Sequence, residues 1–150
     1  MKKSDEHYPK IGWREWIKLP ELGVDKVKAK IDTGARTSSL HAFDLEQYEE
    51  DGLEYIKFFI HPIQKNDSFS IQANGKVVEW RNVKNSGGKT TLRPVIITPV
   101  CMGNFSWEIE ITLINRDEMG FRMLLGREAV RNRFLINPGK SFLTDKSERS

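Results

Sequence analysis

The sequence predicts a single all-β domain, folded as a closed barrel with one short helix late in the chain. Glycine, proline and asparagine interrupt short apolar segments throughout, and the helical segment is confined to residues 128–134. Many short strands without a repeat or a linker are typical of barrel-like β domains. Apolar and polar residues alternate most clearly in residues 105–113, with the period of a strand that buries one face. This alternation assigns Phe105, Trp107, Ile109, Ile111 and Leu113 to the buried face, and Ser106, Glu108, Glu110 and Thr112 to the exposed face.

The predicted elements follow one another closely along the chain. The first strand contains two tryptophans and ends at the turn 20–23. Residues 44–54 hold six carboxylates and no base, and we expect them to form a solvated loop. The pair Asn74-Gly75 predicts a tight hairpin turn. Strands are expected at 11–19, 26–32, 38–43, 53–60, 68–73, 76–83, 90–98 and 105–113.

Length and composition agree with one domain. A chain of 150 residues, of which 38% are hydrophobic and 10% aromatic, can build one core. We expect this domain to cover residues 11–143, between a flexible N-terminal segment, 1–10, and a frayed tail, 144–150.

Charge and cysteine content indicate which partners and which cellular compartment to expect. The net charge of +3 comes without an arginine-rich tract, so direct binding of nucleic acid is not expected. Cys101 is the only cysteine and cannot form an internal disulfide, which favours a reducing compartment. No apolar segment approaches the length of a membrane span or of a signal-peptide core. The sequence therefore predicts a cytoplasmic protein with no membrane partner.

A strand that ends in a tight turn carries the strongest candidate for a catalytic residue. Apolar residues alternate with lysines over residues 26–31, and this strand delivers Asp32 at the edge of a packed layer. Gly34 lets the backbone turn sharply and leaves the carboxylate unobstructed, while Thr33 adds a hydroxyl beside it. An Asp-Thr-Gly triplet after an apolar strand is the arrangement in which aspartic proteases hold their catalytic carboxylate. The alternative is an Asp32 that merely caps its turn.

A second segment, late in the chain, strengthens this interpretation. Residues 121–128 form an apolar strand broken by Gly126, which is followed by Arg127 and a short helix. In retropepsins, the single-domain aspartic proteases, a Gly-Arg pair and one helix support the active-site loop in this way. The chain resembles a bacterial retropepsin-like family that is labelled ATP-dependent zinc protease and often accompanies a ligase that adds glutamates to a ribosomal protein. The resemblance extends over residues 11–142 and rests on the segments 11–15, 31–38, 41–42, 60–62, 86–88 and 123–127.

The number of Asp-Thr-Gly triplets predicts a homodimer. A single carboxylate cannot both activate the attacking water and protonate the carbonyl, whereas two carboxylates about 3 Å apart can share the necessary proton. The chain holds one triplet, so the second acid must be Asp32 of another copy related by a twofold axis. The predicted activity is that of an aspartic endopeptidase, with Asp32, Thr33 and Gly34 as its catalytic residues and no cofactor.

The resemblance also implies a flap over the substrate. Ser86, Gly87 and Gly88 occupy the place of the glycine-rich flap tip of retropepsins, where glycine gives the backbone freedom and close approach. Ala35 directly follows the catalytic triplet. These four residues are the expected peptide-binding residues, together with Arg36.

Arg36 departs from the retropepsin pattern, in which this position often holds an acid. Two roles stay open: Arg36 pairs with Glu128, or it faces the cleft and binds an acidic side chain of the substrate. The segment 76–93 adds five bases against one acid above the same cleft. These charges favour an acidic, glutamate-rich peptide as the substrate, although an ordinary basic surface would have the same composition.

Two other functions compete with hydrolysis by paired carboxylates. A peptide-binding module on the same fold would hold the substrate without cleaving it, because fold does not determine function. A zinc peptidase would need metal ligands, but the candidates His7, His41, His61 and Cys101 are widely spaced and match no zinc motif, so no metal site is expected. A nucleotide site at residues 83–90 is not expected either, since the first glycine of a P-loop is missing.

Overall fold

Strands make up most of the structure, a computed structural model that describes residues 7–63, 68–85, 87–116 and 120–145. One α-helix, α1 (Arg127–Val130), and a short 3-10 helix, Pro20–Leu22, lie between strands. Within the described ranges, no helix has the length and apolar content that a membrane crossing requires. The strands are β1 (Lys10–Gly12), β2 (Arg14–Leu19), β3 (Val24–Asp32), β4 (Ser38–His41), β5 (Phe43–Glu50), β6 (Leu53–Ile60), β7 (Ile71–Lys76), β8 (Glu79–Lys84), β9 (Thr90–Met102), β10 (Phe105–Ile114), β11 (Met123–Gly126) and β12 (Leu135–Asn137).

The largest sheet combines strands from both halves of the chain. Its order is β10–β4–β11–β3–β2–β9–β8, and β10 also pairs with β9, so that six of these strands form a ring of pairings. Within this ring, the strand pairing between β2 and β9 consists of one residue pair, Lys18 with Cys101. The closed barrel stays a prediction. The strands β5, β6 and β7 form a separate antiparallel sheet, and β1 pairs in parallel with β12.

The strands β3, β11 and β4 lie side by side and position the candidate site. β3 and β11 run parallel, with Gly126 opposite Asp32. β4 runs antiparallel to β11, with Ser39 opposite Leu124. Because parallel strands end at the same edge of a sheet, the turn after β3 and the start of α1 meet there.

One hydrophobic core joins the large sheet to the three-stranded sheet. The apolar residues of β3 point into this core at every second position, as their alternation with lysine predicts. A single core with strands as its main elements confirms the predicted all-β domain with one short, late helix. Fully buried members of the core include Val27, Ala29, Leu40, Phe58 and Ile111.

The acidic segment that we expected to be a solvated loop is mostly a strand. Residues 44–50 lie in β5 and pair with β6, and the turn is confined to Asp51 and Gly52. β5 is an edge strand of the three-stranded sheet, and its carboxylates stay exposed. Charged side chains are common on edge strands because they hinder pairing with other chains.

The prediction of a hairpin turn at Asn74-Gly75 is also wrong. Both residues lie inside β7 and pair with β6. The glycine is needed there for close packing, since a Cβ at residue 75 would lie 2.9 Å from Cγ2 of Ile96. The chain changes sheet just afterwards, where the N–H groups of Val77 and Val78 donate to carbonyls of β6 and β9, respectively.

Two smaller differences concern the late elements. The helix covers Arg127–Val130 and is shorter than the predicted segment 128–134. Thr112, which the alternation assigns to the exposed face of β10, is fully buried. Its hydroxyl lies 3.1 Å from Ser39 Oγ and donates to the Ser38 carbonyl oxygen (3.2 Å), so a buried polar position replaces the expected exposed one.

Candidate active site

The turn after β3 presents the Asp32 carboxylate at the surface of the sheet. The Gly34 N–H donates to Asp32 Oδ1 (3.1 Å), and the Ala35 N–H donates to the Asp32 carbonyl oxygen (3.2 Å). A Cβ at residue 34 would lie 3.3 Å from Oδ1, so glycine allows the carboxylate to fold back onto the turn. In the part of the chain that the structure describes, Oδ2 accepts no hydrogen bond and is available to a water molecule.

The Gly126 segment lies directly against this turn. The Gly126 N–H donates to Ser38 Oγ (3.0 Å), and the Arg127 N–H donates to the Ala35 carbonyl oxygen (2.8 Å). The Arg127 side chain reaches further along the turn, where Nη1 donates to the Thr33 carbonyl oxygen (3.2 Å). The structure therefore brings together the two motifs that the sequence singled out.

Arg36 is held through its backbone and does not pair with Glu128. Its carbonyl oxygen accepts a hydrogen bond from the Glu128 N–H (3.0 Å), whereas the Glu128 carboxylate binds Arg131 (3.1 Å). The side chain of Arg36 is exposed, and its charge contributes to a lowered pKa of Glu79 in β8, after the larger effect of a hydrogen bond from Arg81. The predicted side-chain pair with Glu128 is therefore absent, and the cleft-facing role of Arg36 stays a prediction.

β8 and β9 form a hairpin, and two residues of the predicted flap tip lie in its turn. The Asn85 N–H donates to the Lys89 carbonyl oxygen (2.9 Å), and the Lys89 N–H donates back to Asn85 Oδ1 (3.0 Å). Gly88 has a φ of +89°, a conformation that other residues rarely adopt. Gly87 and Gly88 lie in the turn of the hairpin, and Ser86 lies outside the described residues.

Arg81 ties this hairpin to the rest of the domain. Its Nη1 donates to Thr37 Oγ1 (3.1 Å) and to Glu110 Oε1 (3.2 Å), while its Nε donates to Glu79 Oε2 (3.1 Å). Hydrogen bonds to the two carboxylates raise the pKa of Arg81 above its usual value. We call Arg81, Thr37, Glu79 and Glu110 the hairpin anchor. It fastens β8 beside Thr37, which follows the Asp32 turn.

The five bases of segment 76–93 do not form the continuous basic surface that the sequence suggested. Arg81 is neutralised in the hairpin anchor, and Arg93 is only 5% exposed. Lys76 ends β7 in the other sheet. Lys84 and Lys89 are the exposed bases that flank the turn of the hairpin, and Arg36 and Arg127 are exposed beside the Asp32 turn.

The candidate metal ligands do not converge. The rings of His41 and His61 lie 6.4 Å apart, and His61 stacks on Phe43. Cys101 lies in β9, with its Sγ 3.6 Å from Ser106 Oγ. Across residues 7–63, 68–85, 87–116 and 120–145, no three or more His, Cys, Asp or Glu side chains come together as a metal site would require.

Ser38 and Arg81 support the site but were not singled out from the sequence. A hydroxyl at the start of a buried strand is a weak signal that could have indicated Ser38, because such a hydroxyl needs a partner. Two partners of Arg81, Glu110 and Thr37, lie 29 and 44 residues away in the sequence, and no local pattern indicates them.

Known proteins resemble this chain in sequence and in fold. A family model described as "Retropepsin-like aspartic endopeptidase RimB" matches residues 10–147. The crystal structure of Lpg0085 from Legionella pneumophila, described as a protein of unknown function, has a TM-score of 0.77 and 27% sequence identity. That similarity covers 91% of this chain and 98% of the Legionella chain.

Several curated relatives are much longer proteins. The "Probable alpha-L-glutamate ligase" of Shewanella pealeana is 46% identical over 132 residues, which are 88% of this chain and 29% of the relative. A protein of the same name from Parasynechococcus marenigrum is 47% identical over 128 residues, or 85% of this chain and 28% of the relative. The chain thus spans less than a third of the length of these relatives, whereas the RimB model covers nearly all of the chain. The chain belongs to the RimB-like family of retropepsin-like aspartic endopeptidases.

Proposed function

We propose that the protein is an aspartic peptidase that hydrolyses peptide bonds in acidic peptides. The observation that carries this proposal is the meeting of the two motifs, in which Asp32 ends β3 directly opposite Gly126. In the described part of the chain, Oδ2 of Asp32 accepts no hydrogen bond and can bind a water molecule. Arg127 supports the turn by donating a hydrogen bond to the Thr33 carbonyl oxygen. The family match supports the same activity, and the single Cys101 is compatible with work in the cytoplasm.

The proposed enzyme is a homodimer, because each chain supplies one Asp-Thr-Gly triplet. In the dimer the two Asp32 carboxylates share one proton. The ionised carboxylate takes a proton from water as the water oxygen attacks the peptide carbonyl carbon, and the protonated carboxyl group donates its proton to the carbonyl oxygen. The hairpin with Gly87 and Gly88 at its turn covers the bound peptide.

Acidic peptide is the proposed substrate because exposed bases follow the Asp32 turn and flank the hairpin turn. Arg36 follows the triplet, and Lys84 and Lys89 flank the turn of the hairpin. The name of the curated relatives, alpha-L-glutamate ligase, is compatible with a glutamate-rich substrate. Exposed ion pairs are screened by salt, so this part of the preference should weaken as the ionic strength rises.

A peptide-binding module that does not hydrolyse its ligand is the second candidate. The observation that favours it is the ligase name of the long relatives, in which a similar segment fills less than a third of the chain. Such a module would hold a glutamate-rich peptide in the same cleft. The two candidates differ in product formation, since the module binds peptide without releasing fragments.

Mixing the wild-type chain with the variant Asp32→Asn tests both the catalytic residue and the dimer. The variant keeps the shape of the side chain but cannot share the proton, so alone it should lose at least about 10³-fold in kcat/KM. In an equal mixture at constant total concentration, random pairing leaves about one quarter of the dimers with two Asp32 carboxylates. Peptide cleavage by the mixture should therefore fall to about one quarter of the wild-type rate.

Asp25→Asn is the matched control for this experiment, because Asp25 is an exposed carboxylate at the other end of β3. A mixture of this variant with the wild-type chain should cleave peptide at the full rate. If the Asp32→Asn mixture retains about half of the activity, each chain acts alone and the paired mechanism is wrong. Tight peptide binding by the wild-type chain without any cleavage would select the binding module.

A further inference from the structure

Arg93 is a buried arginine whose hydrogen-bond partners are all neutral. It is 5% exposed and lies in β9. Its Nε donates to Thr91 Oγ1 (2.9 Å), and its Nη1 donates to Ser39 Oγ (3.3 Å). Over the described part of the chain, no carboxylate lies within ion-pair distance of Arg93, and Nη2 has no partner although it keeps contact with solvent.

The contrast with Arg81 shows how unusual this arrangement is. Arg81 and Arg93 face each other across the β8–β9 ladder and lie on the same side of the hairpin. Arg81 binds Glu79 and Glu110, and its pKa is raised. The pKa of Arg93 is lowered by burial, and further by the positive charge of Arg116. Among the described residues, the more buried of the two arginines is thus the one without a counter-charge.

A buried guanidinium without an anion is costly to maintain. Removing an ion from water carries a penalty of several kcal/mol, which an opposite charge with good hydrogen-bond geometry can offset. A guanidinium carries five N–H donors, and the two neutral hydroxyls satisfy two of those on Arg93. The remaining donors form a fork that suits a carboxylate.

Arg93 lies close enough to Asp32 to contact a bound peptide. Its partner Ser39 is opposite Leu124 in β11, two residues before Gly126, which is opposite Asp32. β4, which holds Ser39, lies two strands away from β3, and Asp32 lies two residues further along the sheet. These two offsets give roughly 12 Å between the α-carbons of Ser39 and Asp32. An extended peptide rises about 3.3 Å per residue, so this distance corresponds to about three or four residues.

We infer that Arg93 forms a subsite for a carboxylate side chain of the substrate, two to four residues from the cleaved bond. This inference rests on the proposed peptidase function and adds a specificity-determining residue to it. The acid of the substrate supplies the counter-charge that Arg93 does not receive from the described residues. A glutamine of the same shape leaves the buried charge without a counter-ion, so Arg93 discriminates between the two side chains.

Pairs of peptides test this subsite. The two peptides of a pair differ only in carrying Glu or Gln at one position, and the pairs cover each position within about four residues of the cleaved bond. In the wild-type enzyme, kcat/KM should favour Glu by about 10-fold or more at one or two positions. Arg93→Gln should bring that ratio close to one, while Arg93→Lys should keep part of it. The preference due to Arg93 should persist in about 0.5 M salt, because a buried pair is screened less than the exposed pairs of Arg36.

Lys18→Gln is the matched control, since it removes an exposed base of β2 that lies opposite Cys101, eight residues from Arg93 in β9, and should leave the Glu-to-Gln ratio intact. An unchanged ratio in folded Arg93→Gln would overturn the inference. If Arg93→Gln does not fold, the same comparison with Arg93→Lys decides, and a ratio equal to that of the wild type counts against Arg93. If the wild-type chain cleaves neither peptide, the proposed peptidase function fails. Calorimetric binding of the Glu and Gln peptides to the wild type and to Arg93→Gln then tests the subsite independently, and equal affinities would overturn it.

Discussion

Gly126 shows, at the scale of single residues, how tightly the two halves of the site fit. A Cβ on this residue would lie 2.7 Å from the carbonyl carbon of Thr37 and 2.9 Å from the Ser38 nitrogen. Both contacts are with backbone atoms, which cannot rotate away as a flexible side chain can. The glycine thus sets the distance between β11 and the chain that follows the catalytic turn.

Gly126→Ala should therefore destabilise the protein and displace the catalytic turn. We expect a loss of about 1–3 kcal/mol in the free energy of unfolding, measured by chemical denaturation. Peptide cleavage should fall further than the fraction of unfolded protein explains, because Asp32 lies opposite Gly126. Gly120→Ala is the control, since a Cβ there meets nothing within 4 Å. Equal effects of the two substitutions would contradict this account.

Single residues also show what the sequence can and cannot reveal about the site. Asp32 and Gly126 could be predicted because each belongs to a short local motif. Arg93 could not be assigned, since its partner Ser39 lies 54 residues away and the two come together only when β4 and β9 both pair with β10. In the sequence, Arg93 is one base among five; in the structure, it is the buried one.

At the scale of elements, the local prediction succeeded best for β6, which covers the predicted residues, 53–60. The hairpin of β8 and β9 lies where the resemblance places the flap, and Gly87 and Gly88 lie in its turn. The predictions failed where tertiary contacts override a local signal. Gly75 belongs to a pair that is typical of tight turns, but in the structure it lies within β7 and packs closely on Ile96. The anchor of the hairpin is another feature that only the packed structure contains.

Arg81→Gln should release the hairpin from the rest of the domain. The variant loses the contacts with Glu79, Glu110 and Thr37, so we expect faster amide hydrogen exchange throughout β8 and in residues 90–94. Exchange in β3 and β11 should stay unchanged. Lys84→Gln is the control on the same strand, because Lys84 is exposed and makes no hydrogen bond among the described residues. A similar loss of protection in both variants would refute the anchoring role.

The hairpin anchor also predicts a pH dependence of this exchange. The pKa of Glu79 is lowered from its ordinary value of 4.5, mainly by the hydrogen bond from Arg81. A group with a lowered folded-state pKa stabilises the fold above its unfolded-state pKa and loses that effect as the pH falls through the folded value. Hairpin protection in the wild type should therefore hold down to pH 4.5 and decline only below it.

At the scale of the whole molecule, residues near the two ends of the described part of the chain pack against each other. β1 pairs with β12, and the Trp13 N–H donates to the Lys140 carbonyl oxygen (2.8 Å). Described contacts reach from Pro9, whose carbonyl oxygen accepts a hydrogen bond from the Leu135 N–H, to Asp145, whose N–H donates to the Phe142 carbonyl oxygen. The predicted domain bounds, 11–143, stay a prediction. The predicted flexibility of residues 1–6 and 146–150 falls outside the described residues.

Glu15 is the centre of this closure. It is fully buried, and its Oε2 accepts hydrogen bonds from the N–H groups of Gly12 (2.6 Å) and Leu143 (2.9 Å). Its Oε1 accepts hydrogen bonds from the N–H group (3.1 Å) and the hydroxyl (2.7 Å) of Thr144. One carboxylate thus joins the start of the chain to residues about 130 positions later, a contact that no local pattern predicts.

Glu15→Gln should weaken this closure while leaving the candidate site intact. An amide can accept hydrogen bonds with only one of its two polar atoms, so its NH₂ group would face two of the four donors that the carboxylate satisfies. Leaving buried donors without an acceptor should lower the free energy of unfolding by about 2–3 kcal/mol. For a chain of this size we expect Tm to fall by roughly 5–10 °C, measured by calorimetry. Glu21→Gln, at an exposed position after β2, should change Tm little. If Glu15→Gln melts at the wild-type temperature, the bonds to Leu143 and Thr144 do not hold the chain ends together, and the fold depends instead on the pairing of β1 with β12.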